Sequence, residues 1–227
     1  MKNQVINSWD INAKEWINLI ENEGILSRKV TNPAILDTIV KYSPDKILDF
    51  GCGEGWLTRS LAAKGFKAYG ADAIAALVSY AQEKGSEKYF QLSYQEVISG
   101  VAIPFAPFDA MVFNFCLYEK EETVALLNQV RASLRKHGLV FIQTLHPFAM
   151  VKSGLPYKST WMDDAWKGLK GGFKAPHRWY FRTFESWLED FKASGLQLLS
   201  MVEPMPTDDL LPTSVIFVLN KNSNDER

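Results

Sequence analysis

The stretch that decides the fold runs from Lys46 to Trp56, KILDFGCGEGW. KILDF is short and apolar around one carboxylate, as a buried strand is. Three glycines follow, Gly51, Gly53 and Gly55, and lead into WLTRSLAAKG (56–65), which has helical periodicity and stops at Gly65. A glycine turn between a first parallel strand and a helix lets the backbone approach a ligand closely. In the dinucleotide fingerprint the spacing is GxGxxG, the third glycine permitting close helix–strand packing. Here the spacing is GxGxG, and Trp56 stands where that third glycine belongs. Asp49, two residues before Gly51, is a second discriminator. A carboxylate beside the turn repels a pyrophosphate and attracts a ligand that carries positive charge.

Outward from the turn the alternation continues. KAYGA (67–71), KYFQL (88–92), DAMVFNF (109–115) and GLVFIQTL (138–145) are strand-like, rich in branched and aromatic residues. Between them, AALVSYAQEKG (75–85) reads as a helix. KEETVALLNQVRASLRKHG (120–138) reads as another, with Val124, Leu127, Val130 and Leu134 on one face. Its acids lie in the first turn and its bases in the last, where His137 also complements the dipole, and Gly138 is expected at C′. Strands alternating with helices predict a parallel sheet with helices on both faces. Two N-terminal helices are expected, at about residues 11–22 and 32–42.

From about His146 to Arg182 the pattern breaks, with Pro147, Pro156, Gly171, Gly172 and Pro176 among several tryptophans. A connection this long is functional or disordered, and its aromatic density argues against disorder. Thr183 then caps a helix whose face is Phe184, Trp187, Leu188 and Phe191, and LQLLSMV (196–202) and SVIFVLN (214–220) follow as strands.

The bulk properties narrow the function. The 227 residues suit one domain, 1–227, with an N-terminal helical section (1–45) and an insertion (146–182). A net charge of −1 without a basic stripe argues against a nucleic-acid partner. The N-terminus has no apolar signal-peptide core, and no window approaches the roughly 20 apolar residues of a membrane span. Cys52 and Cys116 lack zinc spacing and read as small core hydrophobes, so no metal is expected. A cytoplasmic protein, monomeric or homodimeric, is the expectation.

ILDFGCGEGWLTRSLAAKG (47–65) followed by AYGADAI (68–74) resembles motifs I and II of class I S-adenosylmethionine-dependent methyltransferases. It is most similar to the small-molecule branch that includes the ubiquinone-biosynthesis O-methyltransferases, over about residues 28–220. The resemblance implies a Rossmann-like, mostly parallel seven-stranded sheet whose last strand, SVIFVLN, is antiparallel. It implies S-adenosyl-L-methionine as cofactor and a small-molecule methyl acceptor, with S-adenosyl-L-homocysteine as product. Carried over by motif, Asp49, Gly51, Gly53 and Gly55 surround the methionine part of the cofactor. Asp72 holds the ribose hydroxyls, although it also reads as a helix cap, and Ala73 and Ile74 flank the adenine. Ser93 or the Tyr94 backbone meets the adenine edge, in place of the acid common in the family. Asn114 and Phe115 lie at the methionine end, and at most one of Phe113 and Phe115 lines the site. Arg28 is the match for an arginine that pairs with the cofactor carboxylate. Trp9 and Trp16 read first as the packing face of an amphipathic helix, and otherwise as a pair that closes over the cofactor.

Methyl transfer is an in-line displacement that asks the protein to align the acceptor, exclude water and, for a weak acceptor, remove a proton. His146, directly after the fifth strand, is the candidate general base; its alternative role is a hydrogen bond fixing the turn at Pro147. The aromatic insertion reads as a lid, with Trp179, Tyr180 and Arg182 as substrate contacts and Arg182 suited to a carboxylate through two hydrogen bonds. A binding protein without transferase activity, and an RNA or protein methyltransferase, are the alternatives.

Overall fold

The computed structural model describes residues 4–206 and 211–221. Its centre is a seven-stranded sheet built from β1 (Lys46–Phe50), β2 (Lys67–Asp72), β3 (Lys88–Gln91), β4 (Phe108–Asn114), β5 (Leu134–Leu145), β8 (Leu196–Val202) and β9 (Ser214–Lys221), with β6 (Thr160–Met162) and β7 (Trp179–Phe181) forming a separate antiparallel ribbon. The spatial order is β3-β2-β1-β4-β5-β9-β8. The ladders from β3 to β5 are parallel, and β9 runs antiparallel to both its neighbours. The order reverses between β1 and β4, and a crevice forms outside the carboxyl ends of strands at such a switch point. The glycine turn leaves β1 there.

Eight helices surround the sheet among the described residues: α1 (Gln4–Glu21), α2 (Arg28–Tyr42), α3 (Trp56–Ala63), α4 (Ala75–Lys84), α5 (Tyr94–Ile98), α6 (Glu121–Ala132), α7 (Phe148–Lys152) and α8 (Phe184–Ala193). Strand alternation sorts the core into two layers. Leu48, Phe50 and Phe113 join Leu127, Val130, Trp187 and Phe191 of α6 and α8 on one face. Ile47, Val112 and Phe141 meet Ile35, Ile39, Leu57 and Leu61 of α2 and α3 on the other. None of these helices is long and apolar enough to cross a membrane.

Several boundaries differ from the sequence reading, for reasons of tertiary packing. The two N-terminal helices start earlier, at Gln4 and Arg28. Helix α6 ends at Ala132, not at Gly138, because Leu134 is buried and pairs with Phe108 as the start of β5. The ladder then skips to Ala110 opposite Leu139, and the four residues Arg135–Gly138 bulge out of register. His137 therefore lies in this bulge with a left-handed φ of 64°, not in a helical turn. Thr183 does cap α8, its hydroxyl accepting the Ser186 N–H, but Leu188 faces outward and leaves the apolar face to Trp187 and Phe191. The segment between β5 and α8, unstructured by periodicity, contains α7 and the β6–β7 ribbon.

Candidate cofactor site

A cavity of about 820 Å³ opens at the carboxyl ends of β1, β2 and β4, and runs from the glycine turn to the β6–β7 ribbon. The three glycines of the turn have φ values of 87°, 55° and 83°, a region that costs an L side chain about 1–2 kcal/mol. They do different work. A Cβ on Gly51 would stand 2.7 Å from the Tyr94 hydroxyl and 2.8 Å from the Cys116 Cβ. One on Gly55 would stand 2.9 Å from Ala81 and Tyr89, so Gly55 supplies the close helix approach that the dinucleotide spacing assigns to residue 56. One on Gly53 would meet only the Trp16 indole nitrogen, at 3.8 Å, and would project into the cavity. Gly53 is thus the position where backbone is bared to a ligand.

Four charged groups face this turn. Asp49, 2% exposed, accepts a hydrogen bond from the Thr58 hydroxyl at 2.9 Å. Burial, with Glu54 and Asp72 nearby, pushes its carboxyl up to about 7. Asp72 accepts the Gly53 N–H at 2.9 Å through one oxygen and the Ile74 N–H at 2.9 Å through the other. Its cap-like bond and its place in the cavity coexist, since the same carboxylate fastens the turn to the end of β2. Burial raises its pKa too. Arg28, the first residue of α2, lies over the Trp56 ring at 5.2 Å and donates to Glu54 at 3.2 Å. Three carboxylates and one guanidinium suit a ligand that carries more positive than negative charge.

The remaining cofactor candidates divide. Ala73, Ile74, Tyr94, Asn114 and Phe115 all line the cavity. The Tyr94 hydroxyl lies beneath the turn and donates to the Phe50 carbonyl at 3.0 Å. Phe113 is buried in the core, whereas Phe115 has a left-handed φ of 54°, which turns the chain out of β4 toward the cavity. Ser93 is a correction: it does not line the cavity but forms a capping box with Glu96 at the start of α5. Cys52 and Cys116 line the cavity, and burial pushes both thiols up, away from reactive thiolates.

A family model for the methyltransferase domain matches residues 27–201. The chain belongs to the class I S-adenosylmethionine-dependent methyltransferases. Among its relatives, a ubiquinone biosynthesis O-methyltransferase of Xylella fastidiosa is 31% identical over 120 residues, 51% of this chain and 49% of that protein. An uncharacterized protein of Haemophilus influenzae is 25% identical over 206 residues, covering 81% and 79%. The chain spans about half the length of the ubiquinone-biosynthesis relatives it matches. In fold it is similar to the magnesium protoporphyrin IX methyltransferase of Synechocystis PCC 6803, solved with bound SAH, with a TM-score of 0.69 at 14% identity over 98% of this chain and 100% of that one. The cofactor of the family is S-adenosyl-L-methionine, and the bared Gly53 backbone, the carboxylates and Arg28 fit its ribose, ammonium, sulfonium and carboxylate.

The other end of the methyltransferase cavity is walled by Tyr118, Met162, Trp179, Tyr180 and Leu155. His146 is not there. It is fully buried at the end of β5, its Nδ1 accepting the Phe148 N–H at 3.1 Å and its Nε2 donating to Glu203 at 2.8 Å. One ring nitrogen is committed to the turn around Pro147 and the other to Glu203, so the geometry does not support a general base. Arg182 borders the cavity, but its Nε donates to Asp190 at 2.6 Å and its Nη2 to the Lys120 carbonyl at 3.1 Å. With Nε and Nη2 committed within the protein and only the buried Nη1 left without a partner, a two-point grip on a substrate carboxylate is not available.

The segment between β5 and α8 is fastened to α1 by groups the sequence reading did not connect. Ser8 accepts the Trp166 indole N–H at 3.0 Å and lies 3.1 Å from His177 Nδ1. Asn12 both donates to the Lys174 carbonyl and accepts its N–H, at 2.6 and 2.8 Å. Glu15 accepts the Gly172 N–H at 2.9 Å. Trp9 and Trp16, edge-to-face at 5.0 Å, line the cavity between these anchors while packing with Ala13, Ile74 and Leu77. Glu54 and Glu119, both on the cavity wall, were also passed over. A glutamate in a glycine loop reads as solvated until the loop is folded.

Proposed function

We propose that the protein transfers the methyl group of S-adenosyl-L-methionine to an oxygen or nitrogen of a small, partly apolar metabolite. The observation that carries this reading is the continuity of the cavity. At about 820 Å³ it lies near the top of the roughly 300–1,000 Å³ range of small-ligand pockets, which leaves space for an acceptor beyond the cofactor. Its far wall is aromatic and apolar, suited to a planar or hydrophobic molecule. A net charge of −1, without a run of lysines or arginines, argues against a nucleic-acid acceptor.

When bound, the cofactor supplies an activated methyl group. Asp72 holds the ribose side and Arg28 the carboxylate. The ribbon, α1 and its tryptophans form the cover that excludes water and aligns the acceptor. Glu119 on the cavity wall is the carboxyl we assign to proton removal, and burial, with Glu122 and Glu121 nearby, raises its pKa.

Calorimetric titration with S-adenosyl-L-methionine, S-adenosyl-L-homocysteine and NAD tests the cofactor half. Micromolar binding of the two adenosyl ligands and none of NAD is expected, and NAD binding alone would overturn the reading. Transfer of labelled methyl groups to a panel of phenols, hydroxy acids and amines then tests the acceptor half. Binding without turnover on any acceptor would favour a non-catalytic binding protein.

A further inference from the structure

Away from the glycine turn, the charged lining of the cavity is Glu119, Glu122, Asp164, Lys167 and Arg182. Asp164 and Lys167, both exposed between β6 and β7, bring one charge of each sign. Arg182 is neutralised by Asp190, 2.6 Å away. Lys120, next to Glu119 in the chain, turns to Glu121 at 3.8 Å and to the Tyr180 ring at 5.4 Å. Among the described residues the Glu119 carboxylate is left without an ion-pair partner. Arg182 acts on it, but burial, Glu122 and Glu121 outweigh that effect and raise its pKa. The chain that carries it is held firmly. The Tyr180 N–H donates to the Tyr118 carbonyl at 2.7 Å, and the Thr123 hydroxyl donates to the Glu119 carbonyl at 2.6 Å. Beside it on the wall stand the rings of Tyr118 and Trp179. A second observation points to a ligand here. Arg182, 2% exposed on the same wall, has its Nη1 without a partner, a buried donor that an oxygen of a ligand would complete.

We infer that the methyl acceptor is an oxygen-bearing aromatic amine, bound as its ammonium by Glu119 and methylated on nitrogen. This rests on the transferase reading above and narrows its acceptor. A carboxylate without a cation in a partly dry wall attracts an ammonium, and aromatic faces add to that attraction. The same wall repels a carboxylic acid and gives an alcohol no charge to meet. The ammonium nitrogen has no lone pair to give until it loses a proton, and Glu119 takes that proton. The freed pair forms the N–C bond to the methyl carbon, the C–S bond breaks, and its electron pair stays on sulfur.

The test compares tyramine and serotonin with the alcohol and the carboxylate of the same ring body. Their affinities are measured by calorimetry on protein saturated with S-adenosyl-L-homocysteine, for the wild type, Glu119→Gln and Glu119→Asp, with thermal unfolding to confirm that each is folded. In the wild type the amines are expected to bind on the order of tenfold or more tightly than their alcohols and carboxylates, the worth of one charge-assisted hydrogen bond. Glu119→Gln should erase that preference without changing the affinity for S-adenosyl-L-homocysteine, and Glu119→Asp, which keeps the charge, should retain it. With labelled S-adenosyl-L-methionine the methyl group should appear on the amine nitrogen. Label on the ring oxygen, a preference for alcohol or carboxylate, a preference that survives in Glu119→Gln, or no binding of any of the six probes overturns the inference. Transfer to oxygen would still leave the transferase reading standing, whereas failure of S-adenosyl-L-homocysteine to bind would sink the cofactor site itself.

Discussion

At the scale of single residues, the glycine turn separates two kinds of constraint that its spelling does not distinguish. Gly51 is held by its own fold, with Tyr94 and Cys116 closed against it. Gly53 is held open toward the cavity. Gly51→Ala should therefore lose roughly 2–5 kcal/mol of stability, from overpacking and the left-handed backbone together. Gly53→Ala should lose only about 1–2 kcal/mol but bind S-adenosyl-L-homocysteine at least tenfold more weakly. Denaturant unfolding and calorimetry on the two variants check this, and undiminished affinity in Gly53→Ala would refute its place in the cradle. That Gly51, Gly53, Asp49 and Asp72 meet at one cavity could be expected from the sequence because each sits at a fixed offset along one strand and turn. The place of Glu54 could not, since it is paired with Arg28, which is distant in sequence and meets it only in the folded chain.

At the scale of elements, the N-terminal helix and the long segment after β5 behave as one cover. Ser8 is the pivot, because Trp166 and His177 both reach its hydroxyl. In Ser8→Ala the buried Trp166 indole N–H loses its partner, which costs about 1–3 kcal/mol locally. Faster amide exchange is expected in residues 160–180 and the first turns of α1, with the sheet protected as before. Uniform protection across the cover would show that it is held by apolar packing alone. Periodicity could identify α1 as amphipathic but not say what it covers, since its partners follow some 160 residues later. The end of α6 shows the same limit. ASLRKHG continues a sound helical pattern, yet pairing with Phe108 captures Leu134 for the sheet, because burial outweighs intrinsic propensity.

At the scale of the whole molecule, the site adds its own pH dependence to stability. Asp49 has its pKa raised to about 7 from 3.8, so between those values the folded protein binds a proton that the unfolded chain has released. Its contribution must fall as the pH rises through about 4 to 7. His177, with its pKa lowered to about 4 by burial, acts in the opposite sense and costs stability as the pH falls from about 6.5. Comparison with Asp49→Asn isolates the first effect: the variant should gain on the wild type as the pH rises from 5 to 7.5, measured by urea unfolding. The wild type should also bind the cationic cofactor more tightly at pH 8 than at pH 6, where the carboxyl is protonated. A constant stability difference would place the Asp49 titration outside this range. The sequence by itself determined the parallel sheet and the character of the cofactor, because strand periodicity, glycine spacing and the charge beside the turn are local and carry their physics with them; the antiparallel last strand was legible only through the family resemblance. Only the tertiary structure decided that His146 is locked to Glu203, that Arg182 is spent on Asp190, and that Glu54 and Arg28 face one cavity. Those outcomes depend on which distant groups compete for each side chain, and that competition exists only once the chain is folded.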